Sequence, residues 1–344
     1  MYDRISDIHT LDLAITSVCN AKCMDCARWW IDDEGRMYHN PRDDRPNHHW
    51  PWETLCEHLA ILDNITHVLI CGNAGDPMSH PHVADICEWI HAQWPMAHTC
   101  IDTNGSLGSD ETWQRLADIP EENISVRFAV DGLEDTNHIY RRNVPWERVK
   151  HNITRWFRSQ CSGVLKTIDF PWNEHQRDEI REWADDLGWE WQLDARWDPD
   201  LDQRIIETSR LDPPIMKWEQ PLEDGSDWQT PVGQHISKWI QQGKPMQAEC
   251  RSRGDWLYIN HDHRVWPCCY WANAEYTQWE RSKKHLQHIQ RLAEPTWNSL
   301  DHHSLKDIIN HPIMRSIDRL WQGESIHDTS IMCIHQCGGC KFDE

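Results

Sequence analysis

Cys19, Cys23 and Cys26 stand in a C-x3-C-x2-C run. Three thiolates at this spacing can hold three irons of a cubane 4Fe–4S cluster and leave the fourth iron without a protein ligand. An open iron lets a cluster bind and act on a small molecule, where a fully ligated cluster only passes electrons. The competing chemistry is a structural zinc site. It needs a fourth ligand at tetrahedral spacing, which His9 or His39 could supply.

The chain carries 14 cysteines. Cys56, Cys71, Cys87, Cys100 and Cys161 are scattered through apolar or periodic surroundings and read as small core residues. The rest fall into three groups, 19/23/26, 250/268/269 and 333/337/340, and such grouping marks metal ligation in a reducing compartment. Cys250, Cys268, Cys337 and Cys340 make a four-thiolate set, with Cys269 or Cys333 as substitutes. That set suffices for one further cluster or for a zinc ion. The pairs His48-His49 and His302-His303 lie in polar stretches and read as solvated surface. Glu174 and His175 are either substrate-facing or helix-capping. Tyr140 and Arg141 either line a pocket or pack.

These residues need elements to position them. Short strand-like runs alternate with segments of helical period through the first half. The strands read as Leu11–Thr16, Thr66–Cys71, His98–Asp102, Ile124–Val130, Val164–Phe170 and Trp189–Leu193. The helices read as Trp52–Leu62, Val83–Trp94, Asp110–Ala117, Trp146–Arg158 and His175–Asp186. Six βα-type repeats imply an α/β fold with a parallel sheet, too few for a closed eight-fold barrel and suited to a partial (β/α)6 barrel. Ligands in such folds sit beyond the carboxyl ends of the strands. Cys19 onward, Gly72 to Pro77, Thr103 to Gly105, Asp131 and Asn173 all fall there. The expected domains are a barrel over 1–195, a Pro-rich acidic linker over 196–247, and a small C-terminal module over 248–344. That module holds a hairpin (Trp256–Ile259 and Arg264–Trp266) and a helix over Ser304–Leu320.

With Cys19-Asn-Ala-Lys-Cys23-Met-Asp-Cys26 directly after the first strand, the chain resembles the radical S-adenosylmethionine superfamily over residues 8–195. Ala74-Gly75-Asp76-Pro77 looks like the family's Gly-Gly-Glu-Pro segment, which holds the amino group of the methionine. Thr103-Asn104-Gly105 matches the third-strand ending near the cofactor. Phe128 to Arg141, with Asp131-Gly132 and His138-Ile-Tyr140-Arg141, resembles a stretch common in members with an additional cluster domain. Asn173 follows the fifth strand where such members carry Asn. The resemblance implies a catalytic 4Fe–4S cluster on Cys19, Cys23 and Cys26. It also implies S-adenosylmethionine held near Ala74, Gly75, Asp76, Pro77, Thr103, Asn104, Gly105, Asp131 and Asn173. The residue before the third cysteine, often aromatic in the family, is Asp25, so adenine contact falls to Met24, Trp29 or the backbone. The later cysteines resemble a twitch or SPASM-like module, with Cys250, Cys268, Cys337 and Cys340 on a second, auxiliary 4Fe–4S cluster. Glycine usually lies five residues before the second of these ligands; here it is His263, so the turn is expected to be altered.

Composition sets the outer limits. Fifty-six acidic residues against 34 basic ones give a formal charge of −22. Such a surface repels phosphate backbones and anionic lipids, so general nucleic-acid binding is not expected. No apolar run has membrane-spanning length and the N-terminus lacks a secretory pattern, so a cytoplasmic protein without membrane attachment is expected. The chain has 23 Trp and 4 Phe, read as a preference for Trp in the core. The leading functional reading is oxidation or rearrangement of a small molecule by a 5′-deoxyadenosyl radical, with a flavodoxin- or ferredoxin-type reductant as partner. A second is a maturase acting on a peptide substrate. The chain starts almost directly at its first strand, which leaves no room for the N-terminal leader-binding domain of many maturases. A third is a non-catalytic metal-binding protein on this fold.

Overall fold

The computed structural model describes residues 5–23, 26, 28–31, 37–40, 45–71, 73, 75–194, 254–276 and 294–315. Strand β1 (Thr10–Leu13) leads into the cysteine loop, and an antiparallel hairpin, β2 (Trp29–Ile31) and β3 (Met37–His39), follows it. Strands and helices then alternate: α1 (Trp52–Leu59), β4 (His67–Ile70), α2 (Val83–Gln93), β5 (His98–Thr103), α3 (Asp110–Ala117) and β6 (Ile124–Ala129). Beyond them come the single turn α4 (Asn137–Tyr140), then α5 (Trp146–Arg158), β7 (Ser162–Ile168), α6 (Arg177–Leu187) and β8 (Glu190–Asp194). After them come β9 (Trp256–Ile259), β10 (Val265–Trp266), α7 (Cys269–Tyr276) and α8 (Leu305–Ile309).

One sheet runs in the order β10-β9-β1-β4-β5-β6-β7-β8, with every neighbouring pair parallel except β10 with β9. From β1 to β8 spatial order follows chain order without a reversal. Right-handed crossovers then put every connecting helix on the same side of the sheet, and its twist curls it into a partial barrel. The six expected parallel strands are therefore present. The first and fifth stop at Leu13 and Ile168, short of the expected Thr16 and Phe170. Thr16 instead bridges His49, and the Phe170 N–H is taken by Asn173 Oδ1 at 3.0 Å.

Burial alternates along the strands and separates the two faces of the sheet. Ile101, Ile124, Val126, Phe128 and Leu165 are buried on the helix-covered side. Trp113 of α3 stacks on Phe128 at 5.7 Å and meets Trp156 of α5 at 5.8 Å. Trp50, Trp113, Trp156, Trp266 and Trp271 are among the largest fully buried side chains, which bears out the reading of tryptophan as core. Ser109 caps α3 by accepting from Thr112 N–H at 3.1 Å, and α6 ends at Gly188 with φ +67°.

The opposite face, which the connecting helices α1–α6 do not cover, carries the alternate residues: the charged Asp12, Asp102, Arg127, Lys166 and Asp194 stand there beside Leu69, Ala129, Val164 and Ile168. Arg127 Nε lies 2.6 Å from Asp102, and Lys166 Nζ lies 2.9 Å from Asp194. Cys71 and Cys100 stand on this face too, and were expected as plain core. The Cys71 thiol donates to Asp12 at 2.9 Å, and Arg127 Nη2 donates to Cys100 Sγ at 3.8 Å.

The hairpin expected inside a separate module joins the barrel sheet. Strand β9 pairs with β1 from Thr10↔Trp256 to Leu13↔Ile259, on the side of β1 away from β4. In its turn His263 stands where the resemblance expects glycine. His263 holds φ +67°, the left-handed backbone that glycine would adopt freely. The ring is fixed from several directions: it stacks on Trp50 at 3.5 Å, contacts His48 Nε2 at 3.0 Å, and meets Asp301 at 2.7 Å. His48 and His49, expected on the solvated surface, are accordingly half-buried beside this turn. The expected helix over Ser304–Leu320 is interrupted: α8 spans Leu305–Ile309, the backbone is helical again over 312–315, and residues beyond 315 lie outside the described set.

Candidate functional site

Cys19, Cys23 and Cys26 share the loop that leaves the carboxyl end of β1. Burial first, then Asp76, and then the Cys26 and Cys23 sulfurs push the Cys19 thiol up, which puts the three sulfurs within electrostatic reach of one another. Burial likewise pushes the Cys23 thiol up to about 11, against the pull of the Arg141 guanidinium. The thiols are neighbours rather than a closed coordination set: among the described residues no three metal-ligating side chains converge on one point.

Three N–H groups point at the sulfurs of Cys19 and Cys23. Ala21 N–H donates to Cys19 Sγ at 3.3 Å, Asn104 Nδ2 to Cys19 Sγ at 3.7 Å, and Arg141 Nη1 to Cys23 Sγ at 3.8 Å. Donors aimed at sulfur stabilise thiolate and suit metal-bound sulfur. The zinc reading needs a histidine. His9 stands at the other end of β1 with Nδ1 on the Asn64 carbonyl at 2.8 Å, and His39 packs on Trp29 at 5.0 Å. The donor set fits an open cluster better than a closed zinc site.

Asp76 is the hub of the neighbouring loops. Its carboxylate accepts from Met78 N–H at 3.0 Å, Thr103 Oγ1 at 2.9 Å and Asn104 N–H at 2.7 Å, so it ties the end of β4 to the end of β5. Burial raises its pKa, and these donors oppose the rise. Gly75 lets this loop lie on the cysteine loop: a Cβ there would stand 2.3 Å from the Thr16 carbonyl oxygen and 2.8 Å from that of Val18. Asp76 N–H bonds the same Val18 oxygen at 2.8 Å. Pro77 opens the short 3-10 turn that follows, and Gly105 takes φ +77° after Asn104.

Asn20, unremarked in the sequence, staples the site from within the cysteine loop. Its Nδ2 donates to Ser106 Oγ at 2.9 Å and its Oδ1 accepts from Asn104 Nδ2 at 2.9 Å. Asn143 Nδ2 donates to the Asn20 carbonyl at 2.8 Å. Arg28 donates to the Cys19 carbonyl and, at 3.3 Å, to Asn47, tying the start of the β2–β3 hairpin to the loop.

Asp131 meets the site through Arg141. Its Oδ2 takes Arg141 Nε at 2.5 Å, its Oδ1 takes Ile168 N–H at 2.7 Å, and Asn173 Nδ2 donates to its carbonyl at 3.0 Å. Asn173 is thus spent on holding the ends of β6 and β7 together. Glu174 and His175 are exposed in the 3-10 turn before α6, and no side-chain cap bond forms at that helix. Tyr140 packs on Phe170 at 4.9 Å.

Of the remaining expected residues, Ala74, Met24, Asp25, Cys250, Cys333, Cys337 and Cys340 lie outside the described residues. Trp29 carries the Arg28 guanidinium over its ring at 4.9 Å. Cys268 is buried just before α7. Cys269 lies near Asp12 on the face opposite helices α1–α6, its thiol pushed up to about 12 by burial and by Asp12, with the Asn73 side chain opposing. Asp12, Asp102, Arg127, Lys166 and Asp194 were not singled out in the sequence. The available signal was a charge in each of β1 and β5–β8, where parallel strands covered on both faces would be apolar throughout. Among the described residues, no helix is long and apolar enough to cross a membrane.

The family model described as the radical SAM superfamily matches residues 13–184, half of the chain, from the end of β1 into α6. No curated protein matches. Among solved structures, Streptococcus suis SuiB bound to S-adenosylmethionine is similar with a TM-score of 0.50 and 14% identity, over 84% of this chain and 66% of that one. This chain therefore spans just under two thirds of the length of SuiB. The protein anSMEcpe with bound AdoMet is similar with a TM-score of 0.52 and 11% identity, over 91% of this chain and 80% of that one. At such identities the likeness is one of fold, and the fold in question is the partial parallel barrel derived above. With the family model spanning five of its six parallel barrel strands in part or whole, the chain belongs to the radical S-adenosylmethionine superfamily, whose members catalyse radical reactions.

Proposed function

We propose that the chain cleaves S-adenosylmethionine reductively and uses the 5′-deoxyadenosyl radical to take a hydrogen atom from a small polar substrate on the face of the sheet opposite helices α1–α6. The observation that supports the reading is the placing of three cysteines on the loop beyond β1, with three N–H groups directed at the sulfurs of Cys19 and Cys23. Cys19, Cys23 and Cys26 would hold the 4Fe–4S cluster. When bound, that group supplies one electron to the sulfonium, which parts into methionine and the radical.

The chain's own residues do the rest. Asp76, Thr103, Asn104 and Asn20 lock three loops into one rigid rim, so a cofactor bound there meets fixed partners. Arg127 and Lys166, each held by a carboxylate, present cationic groups on that face and would orient a polar substrate. The Asp102–Arg127 pair is only partly exposed, which limits competing water. Cys250, Cys268, Cys337 and Cys340 are proposed to hold an auxiliary 4Fe–4S cluster, with Cys269 as the substitute that faces Asp12. The reductant would be a flavodoxin- or ferredoxin-type donor, in keeping with a cytoplasmic protein.

The test is formation of 5′-deoxyadenosine from S-adenosylmethionine. The protein is reconstituted anaerobically with iron and sulfide and reduced with dithionite, beside a variant with Cys19, Cys23 and Cys26 all changed to Ala. Product from the first and none from the second is expected. Equal product from both, or none from protein that holds cluster and binds S-adenosylmethionine with candidate polar substrates present, would overturn the reading.

A further inference from the structure

The Arg141 side chain is shared between two partners of unequal kind. Nε goes to Asp131 at 2.5 Å and Nη1 goes to Cys23 Sγ at 3.8 Å. Asp131 is fully buried and fixed beyond this ion pair: Ile168 N–H bonds its other oxygen, its own N–H donates to Asn137 Oδ1 at 3.0 Å, and Asn173 holds its carbonyl. The guanidinium is therefore aimed by a carboxylate that cannot move. Its Nη1 edge faces the sulfur, while the carboxylate is bonded at Nε. A planar fork suits this division, since its donors are rigidly related.

We infer that the Asp131–Arg141 pair sets the reduction potential of the cluster on Cys23, with Arg141 raising it and Asp131 limiting the rise. This rests on the proposal that Cys19, Cys23 and Cys26 hold a 4Fe–4S cluster. Reduction adds one negative charge, spread over the irons and their sulfurs. A cation hydrogen-bonded to a ligand sulfur favours the reduced form, and low local dielectric strengthens the effect. Asp131 is farther from the sulfur and acts with the opposite sign. Asn104 and Ala21 give Cys19 two neutral N–H contacts, whereas the N–H donor at Cys23 is a cation. Arg141 is in this respect a positioning residue, acting on the electron through the sulfur.

The experiment is an EPR-monitored redox titration of the reconstituted full chain, without S-adenosylmethionine, so that any effect on cofactor binding is excluded. Arg141→Met is expected to lower the reduced-to-oxidised ratio at a fixed potential at least tenfold, a midpoint about 59 mV more negative. Arg141→Lys should shift it less and in the same direction, and Asp131→Asn should shift it to less negative potential. A role confined to packing would change iron content without moving the midpoint in opposite directions. Unmoved midpoints in Arg141→Met and Asp131→Asn with full iron and sulfide would overturn the inference. If Arg141→Met does not retain iron, Arg141→Lys and Asp131→Asn decide by the same criterion. Wild-type protein that takes up no iron and sulfide would instead overturn the cluster assignment itself.

Discussion

Asp12 offers the most direct energetic test of the sheet face opposite helices α1–α6. The residue is 2% exposed, and its carboxyl is pushed from the ordinary 3.8 up to about 7. Burial is the main cause; the Cys71 thiol, Arg127 and Trp256 oppose it, and Asp102 adds to it. Between these two pH values the folded chain keeps a proton that the unfolded chain has lost. Stability contributed at this position is therefore greatest below about pH 4, falls as pH rises to about 7, and is level beyond that. Over about three pH units at 1.36 kcal/mol each the fall is roughly 4 kcal/mol, an upper bound because the interior relaxes around a charge. Asp12→Asn removes the titration and keeps the shape. Urea unfolding of wild type and variant, held anaerobic from pH 4.5 to 8, should give a stability difference that changes with pH, the variant gaining on wild type as pH rises. A difference constant across that range would refute the reasoning. It would show Asp12 ionised in the fold, reached by water or by a stronger cation than Arg127.

Gly75→Ala places a Cβ against two backbone carbonyl oxygens that cannot yield as side chains do. Stability should drop by about 1–3 kcal/mol and iron uptake on reconstitution should fall with it; full iron with unchanged stability would show that the two loops separate freely. His263→Ala keeps the left-handed backbone and discards the Trp50 stack and the Asp301 contact, for an expected loss of about 2–3 kcal/mol in chemical unfolding. His263→Gly should recover about 1 kcal/mol of that, the backbone share alone. Equal losses in the two would mean that the positive φ carries no strain.

Much of the site was legible because ligand chemistry restricts residue types over short spans. The cysteine loop, Gly75-Asp76-Pro77 and Thr103-Asn104-Gly105 are local segments at strand ends, and strand ends follow from alternation. What escaped the sequence depends on partners far along the chain. Arg141 stood undecided between lining and packing because its sulfur partner lies 118 positions earlier. His48 looked solvated because the ring that covers it, His263, lies 215 positions later. Cys71 and Cys100 passed for core because a strand's pattern tells which residues share a face, not which face the helices cover. The β2–β3 hairpin was missed for a local reason: Trp29 to His39 contains neither a clean alternation nor a two-residue turn of the Asn-Gly kind. The hairpin at β9 and β10 was recognised as a hairpin, but its seat beside β1 could not be read from either strand.

That seat has a bearing on how the protein is made. Strand β1 can pair with β4 soon after both emerge from the ribosome, whereas β9 lies about 245 residues beyond β1. At roughly 5–20 residues per second, β1 waits on the order of 10–40 s after β4 appears before its second edge is covered. During that interval the strand that delivers Cys19 presents unpaired backbone groups, a template for mispairing with other nascent chains. Synthesis slowed within residues 71–255 would lengthen the exposure, and expression temperature and translation rate should then govern the yield of protein able to take up iron. The loop closed by this pairing is the longest in the sheet, so its formation should be the slow, late event of folding.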